Sequence, residues 1–238
     1  MLTNLKLEKV LFIDVETVPL SPTYNQLDKR NQQLWDRKAG FLVKEEQTPE
    51  EVYERAGIYA EFGKVICISL GIYHEEKGTA KFRLKSFYGN NEKDLLSDFV
   101  SLLTERFSSS DYLLCAHNGK EFDFPFLARR ILINQLRLPY LLDIAGRKPW
   151  EVQHIDTMQL WKFGDYKHYT SLDLLTHVFD IPSPKNDIEG KDVARLYWKD
   201  DQLDRIVDYC QKDTIAVAQI MLRYMGKPLV ETENITFT

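Results

Sequence analysis

Four acidic residues and one tyrosine stand beside apolar runs that would fix their positions. Residues 12–19 read FIDVETVP, so the run Val10–Ile13 leads directly into Asp14 and Glu16. Side chains two apart on a strand point to the same face. These two carboxylates therefore sit side by side, where each raises the pKa of the other, and something must offset their repulsion. Asp123, in HNGKEFDFPFL, follows a strand and a glycine turn, where a helix begins. Tyr209 and Asp213, in YCQKD, are four apart and share a helical face. They flank a core stripe through Leu203, Ile206, Cys210, Thr214, Val217 and Met221, which turns them toward a cleft beside the core.

Each signal has a plain reading when taken singly. An Asp-x-Glu at a strand end is usually a solvated turn, Asp123 next to Pro125 can cap its helix, and Asp213 can be surface charge with Tyr209 as an amphipathic rim residue. Taken together, four acids at element ends, in order, are poorly explained by these separate readings.

The elements that must position them follow from hydrophobic patterning. Strands are expected at 9–16, at 64–73 in a central position, at 81–88 with one wet face, at 112–116 and at 152–156. The spacing of Leu95, Leu96, Phe99, Leu102, Leu103 and Phe107 predicts a helix after the Gly-Asn-Asn turn at 89–91, and another helix is expected over 123–136. The chain then turns helical, over 171–179, 192–198 and 201–224. Short links among the first strands imply antiparallel pairing, and helical links later imply parallel pairing. The expected architecture is α/β, a mixed sheet with helices on both faces.

A long insertion, about 18–62, separates the first two strands. In it Thr48-Pro49-Glu50-Glu51 reads as a capping box opening a helix over 49–56. No internal repeat or linker breaks the 238 residues, so one domain over 1–238 is expected.

Composition narrows the class. Hydrophobic residues make up 44% and charged residues 28%, which suits a globular core with no membrane span. The start, MLTNLKLEKV, is too polar for a signal peptide. Cys67, Cys115 and Cys210 form neither a disulfide framework nor a zinc set; they read as buried thiols in a reducing, cytoplasmic setting. A net charge of −5 argues against bulk electrostatic coating of nucleic acid, while leaving room for one held locally through metal ions.

The ordered set of Asp14-x-Glu16-Thr17, Asn118-x-x-x-Phe122-Asp123 and Tyr209-x-x-x-Asp213 resembles the DEDD superfamily of 3′–5′ exonucleases, whose domain is an RNase H-like mixed sheet. Tyrosine at 209 marks the tyrosine branch; the histidine branch would need His at 208, where this chain has Asp. The likeness is greatest to stand-alone bacterial proteins related to the proofreading domain of family-B DNA polymerases. It extends through HIDTMQLWKFG, SLDLL and IPSPKNDIEG and is weakest over 20–50.

The resemblance implies a metal-dependent 3′–5′ exonuclease acting on the 3′ ends of single-stranded DNA. Two divalent cations about 4 Å apart can clamp both ends of an in-line displacement at phosphorus, and Mg²⁺ or Mn²⁺ would favour these oxygen ligands. By resemblance Asp14 bridges both ions, Glu16 and Asp213 hold the ion that activates water, Asp123 supports the ion on the leaving-group side, and Tyr209 orients the attacking water. Thr17, Asn118, Phe122 and Lys185 become candidate substrate contacts, and Phe124 a second candidate for stacking on a base. For Phe122 core packing, and for Lys185 a surface position, are the commoner readings; His117 reads equally as a contact to the terminal nucleotide and as a residue satisfied by backbone at a strand end. Asp156 ends a strand and caps the next helix. An RNA substrate, an inactive nucleic-acid-binding module and a metal-free carboxylate-pair glycosidase are the competing readings, and a polymerase or repair partner stays open.

Overall fold

The computed structural model describes residues 2–44, 46–148, 150–165, 169–182 and 188–238. Among them, six strands form one mixed sheet: β1 (Val10–Pro19), β2 (Gly63–Glu76), β3 (Thr79–Tyr88), β4 (Leu113–Ala116), β5 (Ile155–Asp156) and β6 (Ile235–Phe237), in the spatial order β5-β4-β1-β2-β3-β6. β1, β2 and β3 pair antiparallel, whereas β4 and β5 continue the sheet in parallel beyond β1 and β6 runs parallel to β3. The helices are α1 (Lys29–Ala39), α2 (Glu92–Arg106), α3 (Asp123–Ile133), α4 (Thr157–Lys162), α5 (Leu172–Val178), α6 (Val193–Trp198) and α7 (Leu203–Tyr224). Among the described residues no helix is long and apolar enough to cross a membrane.

β1 alternates between the two faces of the sheet. Leu11, Ile13 and Val15 pack with Leu96 and Phe99 of α2 and Phe124 and Leu127 of α3. Val10 and Phe12 face the other way, onto Val217, Ala218 and Met221 of α7. Asp14 and Glu16 continue that second row, so strand periodicity aims both carboxylates at the side covered by α7. The register with β2 slips between Glu16 and Thr17, leaving Ile66 as the extra residue on β2. Bulges of this kind re-aim side chains and are frequent beside active sites.

α7 is held against the sheet by more than its apolar stripe. The Thr214 hydroxyl, fully buried, lies 2.9 Å from the Cys210 carbonyl and 3.4 Å from that of Ser69 on β2, and the Cys210 thiol donates to the Asp14 carbonyl at 3.4 Å. The strand on which Asp14 sits and the helix that carries Tyr209 and Asp213 are thus tied directly. All three cysteines are buried free thiols.

The insertion departs from expectation. Its helix lies earlier, at α1, whose Asp28 cap accepts from the Asn31 amide at 2.9 Å. The capping box does close: the Thr48 amide donates to the Glu51 carboxylate at 2.7 Å. No α-helix follows, because the Pro49 carbonyl accepts from the Trp35 indole at 2.8 Å, and the Tyr53 amide bonds instead to Glu50 at 3.1 Å. The result is a turn and then a 3-10 helix over Tyr53–Ile58. Trp35, Ala39, Val52, Tyr53 and Ala56 form a small core of their own. The strand expected at 152–156 shrinks to two residues, and the helix expected over 123–136 ends at Ile133.

Candidate active site

Three elements deliver the acids to one place. Asp14 and Glu16 come from β1, Asp123 from the first turn of α3, and Asp213 from α7 one turn after Tyr209. Asp123 and Glu16 are buried, at 4% and 8% exposure. Burial pushes the Asp14 carboxyl up to about 7, with the neighbouring Asp123 charge adding to it. Burial raises Asp123 to about 7 as well, with Asp156 adding to the rise while its own amide and that of Val15 pull it back. Asp213 is driven to about 8 by burial and then by Asp14. Glu16 lies well above the carboxylate range through burial, then Asp14 and Asp213. Asp14 feels Asp123, Glu16 feels Asp14, Asp213 and Asp123, and Asp213 feels Asp14, so charge coupling links the four.

Among the described residues no lysine or arginine makes an ion pair with any of the four. Oδ2 of Asp14 is buried without a hydrogen-bond partner among them. An orphaned carboxylate oxygen, amid acids that ionise with difficulty, makes a set of hard oxygen donors, and Mg²⁺ or Mn²⁺ fits that donor chemistry. Ligand atoms of Asp14, Glu16 and Cys210 lie within 4.8 Å of one another. The thiol is a poor partner for a hard cation, and burial pushes it well above its usual range, so the oxygens are the relevant donors.

The Tyr209 phenol is driven far upward by burial and then by the charges of Asp213, Glu16 and Asp14. It stays protonated at any ordinary pH, which makes it a donor and orienting group rather than a base. Tyr209, Asp14 and Asp213 line a cleft of about 530 Å³ together with His117, Tyr169 and Glu189. His117 is satisfied within the fold, its Nε2 donating to the Thr170 carbonyl at 2.8 Å and its Nδ1 lying 2.9 Å from the Thr157 hydroxyl.

Asn118 sits in the left-handed region, at φ 65°, and its side-chain oxygen is buried without a partner among the described residues. Its turn is fixed by Asp156, whose carboxylate accepts from the amides of Asn118 (3.1 Å), Lys120 (3.2 Å) and Gln159 (3.1 Å). Asp156 also caps α4, as expected. Asp123 is not a cap: the capping position is Phe122, and Asp123 is the first helical residue. Thr17 donates to the Gly57 carbonyl at 2.8 Å and, with Glu16 and Phe122, borders a second cavity of about 400 Å³. Phe122 is also packed against the core, 5.4 Å from the Phe126 ring. Phe124 is fully buried in the core, so the expectation that it stacks on a base is overturned by packing. Lys185 lies outside the described residues.

Tyr169 was not foreseen. It is 63% exposed, its ring stands edge-to-face with His117 with the ring centroids 6.2 Å apart, and the charges of Asp123, Asp156 and Asp213 add to the effect of burial in raising its phenol. No periodicity marks it, because it comes from a loop. A family model described as "Predicted 3'-5' exonuclease related to the exonuclease domain of PolB" matches residues 58–229. That span contains Asp123, Tyr209 and Asp213 and begins after Asp14 and Glu16, which the fold brings to the same place.

Proposed function

From the premise that this chain belongs to the family of predicted 3′–5′ exonucleases related to the exonuclease domain of PolB, we propose that it removes nucleotides one at a time from the 3′ ends of single-stranded DNA by a two-metal mechanism. Its α/β, RNase H-like fold and hydrolytic nuclease chemistry come with the family; substrate, metals and residue roles are our reading. The observation that carries it is the meeting of Asp14, Glu16, Asp123 and Asp213 from three elements, with an unpartnered oxygen on Asp14. We read 1–238 as one exonuclease unit carrying an insertion at 18–62, in the tyrosine branch of the superfamily.

Asp14, Glu16, Asp123 and Asp213 would hold two Mg²⁺ or Mn²⁺ ions. When bound, such ions neutralise charge on the attacking and leaving oxygens and make water a better nucleophile near neutral pH. In the reaction, a water oxygen bonds to the terminal phosphorus, the bond from phosphorus to the 3′ oxygen breaks, and a 5′-mononucleotide leaves while the strand keeps a 3′ hydroxyl. Tyr209, protonated and one helical turn from Asp213, accepts a hydrogen bond from the water and orients it. Asn118, next to His117 of the cleft, is a candidate contact to the terminal nucleotide. Tyr169 offers an exposed ring face for a base, a contact of about 1–3 kcal/mol. Thr17 and Phe122 border the neighbouring cavity and, with Lys185, are the remaining candidate contacts.

Matched 5′-labelled DNA and RNA oligonucleotides, single- and double-stranded, with and without Mn²⁺, test the reading. A ladder shortening from the 3′ end of single-stranded DNA supports it. Faster loss of RNA transfers the reading to an exoribonuclease. Binding without shortening supports an inactive module.

A further inference from the structure

The insertion between β1 and β2 contributes none of the four acids, and most of it lies outside the family match. Its 3-10 helix is nevertheless bolted to the residues that follow the two β1 acids. Thr17 donates to Gly57, the Leu20 amide bonds the Phe62 carbonyl at 2.9 Å, and a Cβ on Gly57 would meet the Pro19 ring at 3.2 Å. Trp35, fully buried, packs against Tyr53 and Phe62 and stiffens the segment from behind.

This fixed segment forms one wall of the cavity of about 400 Å³ that opens from Glu16 and Thr17. Glu54, Arg55, Gly57 and Ile58 line it from the insertion, facing Phe122, Gly190, Lys191 and Ala194. The volume suits a small organic ligand or one residue of a polymer. Ile58 is 53% exposed although its neighbours Ala56 and Gly57 are buried. The Arg55 guanidinium is exposed and makes no ion pair or hydrogen bond among the described residues, even with Glu54 beside it. Lys191, across the cavity, is paired with Glu189 at 2.7 Å. An uncommitted guanidinium and a bare branched side chain, side by side on a rigid wall, match a ligand that alternates phosphate charge with flat apolar rings.

We propose that the insertion is part of the nucleic-acid grip: Arg55 contacts a backbone phosphate, and Ile58 packs on a nucleoside ring in the cavity leading from Glu16. This rests on the exonuclease reading. A bare carboxylate ligand would meet Glu16 and Glu54 there, whereas a strand presents phosphate to Arg55 and rings to Ile58.

The test uses the full chain, a 5′-fluorescein single-stranded oligonucleotide read by anisotropy in EDTA, and steady-state digestion in Mn²⁺. Arg55→Ala should weaken binding about tenfold, the loss of one charge-assisted contact, and flatten the salt dependence of log affinity by about 0.7. Arg55→Lys should restore much of the binding, and Ile58→Ser should weaken it at an unchanged salt slope. In digestion the loss should be carried by KM, at wild-type Tm. Wild-type affinity and salt slope in Arg55→Ala and Ile58→Ser overturn the inference and leave the exonuclease reading standing. A wild-type chain that binds but releases no nucleotide overturns the exonuclease reading, while the anisotropy series still decides the role of Arg55. A wild-type chain that neither binds nor digests overturns both.

Discussion

Replacing Asp14 with asparagine should make the metal-free protein more stable while removing its activity. The Asp14 carboxyl has an ordinary value of 3.8 and is pushed to about 7 in the fold, by burial and then by Asp123. Holding it ionised therefore costs about 4 kcal/mol, at about 1.4 kcal/mol per pH unit. The folded state keeps a proton that the unfolded chain has released. This group's contribution to stability is thus fully present below about pH 4 and is lost as pH rises through about 7. Asparagine keeps the shape and removes the charge. In EDTA at about pH 8 the variant should melt about 10 °C higher, from 2–4 °C per kcal/mol for a chain of this size, and its Tm should fall less steeply between pH 4 and 8 than that of wild type. Adding Mn²⁺ should raise the wild-type Tm, more at about pH 8 than at about pH 5.5 because cations and protons compete for the same oxygens, and should barely move the variant. Calorimetry with and without EDTA at several pH values reads this directly. An unchanged or lower Tm for Asp14→Asn in EDTA, with wild-type response to Mn²⁺, would refute the reasoning.

Tyr209→Phe should reduce turnover while keeping the Mn²⁺-induced rise in Tm, since the hydroxyl orients water and is not a ligand; loss of the Tm response would show otherwise. Arg130→Ala should cost about 3–5 kcal/mol by urea denaturation, because it strands Glu92, whose carboxylate is buried against the Arg130 guanidinium and the Val65 amide. Gly119→Ala should lower both stability and activity: its Cβ would lie 2.4 Å from that of Ala116 and 2.9 Å from the Phe124 ring, displacing the turn between Asn118 and Asp123. Tyr169→Ala should raise KM more than it lowers kcat, by the loss of one stacking contact of about 1–3 kcal/mol.

The acids on β1 and α7 were legible because periodicity fixes where they point. Asp14 and Glu16 share a face with Phe12, and Asp213 sits one turn from Tyr209, whatever surrounds them. Asp123 was legible because a strand, a glycine turn and an apolar helix left one place for it. α1 was not, since KRNQQLWDRKA buries only Trp35 and Ala39 and lacks a wide apolar face. The 3-10 helix at Tyr53–Ile58 was misread because the competitor for the Pro49 carbonyl is Trp35, fourteen residues away, and no local rule reports such a contact. Tyr169 and Arg55 escaped for the same reason: their proximity to the acids is a product of loops and of the insertion's packing. Phe124 was misassigned because an aromatic beside a motif carries no mark of which way it faces.

Hydrolysis of the last phosphodiester of a strand should depend both on the four carboxylates and on divalent cations. A 3′-labelled single-stranded DNA oligonucleotide, digested in Mn²⁺ by wild type, Asp14→Ala and Asp213→Ala, tests it most directly. Wild type should release the label immediately as a 5′-mononucleotide, with none released in EDTA and near-complete loss in both variants. Full activity in either variant, or label release undiminished by EDTA, would contradict it.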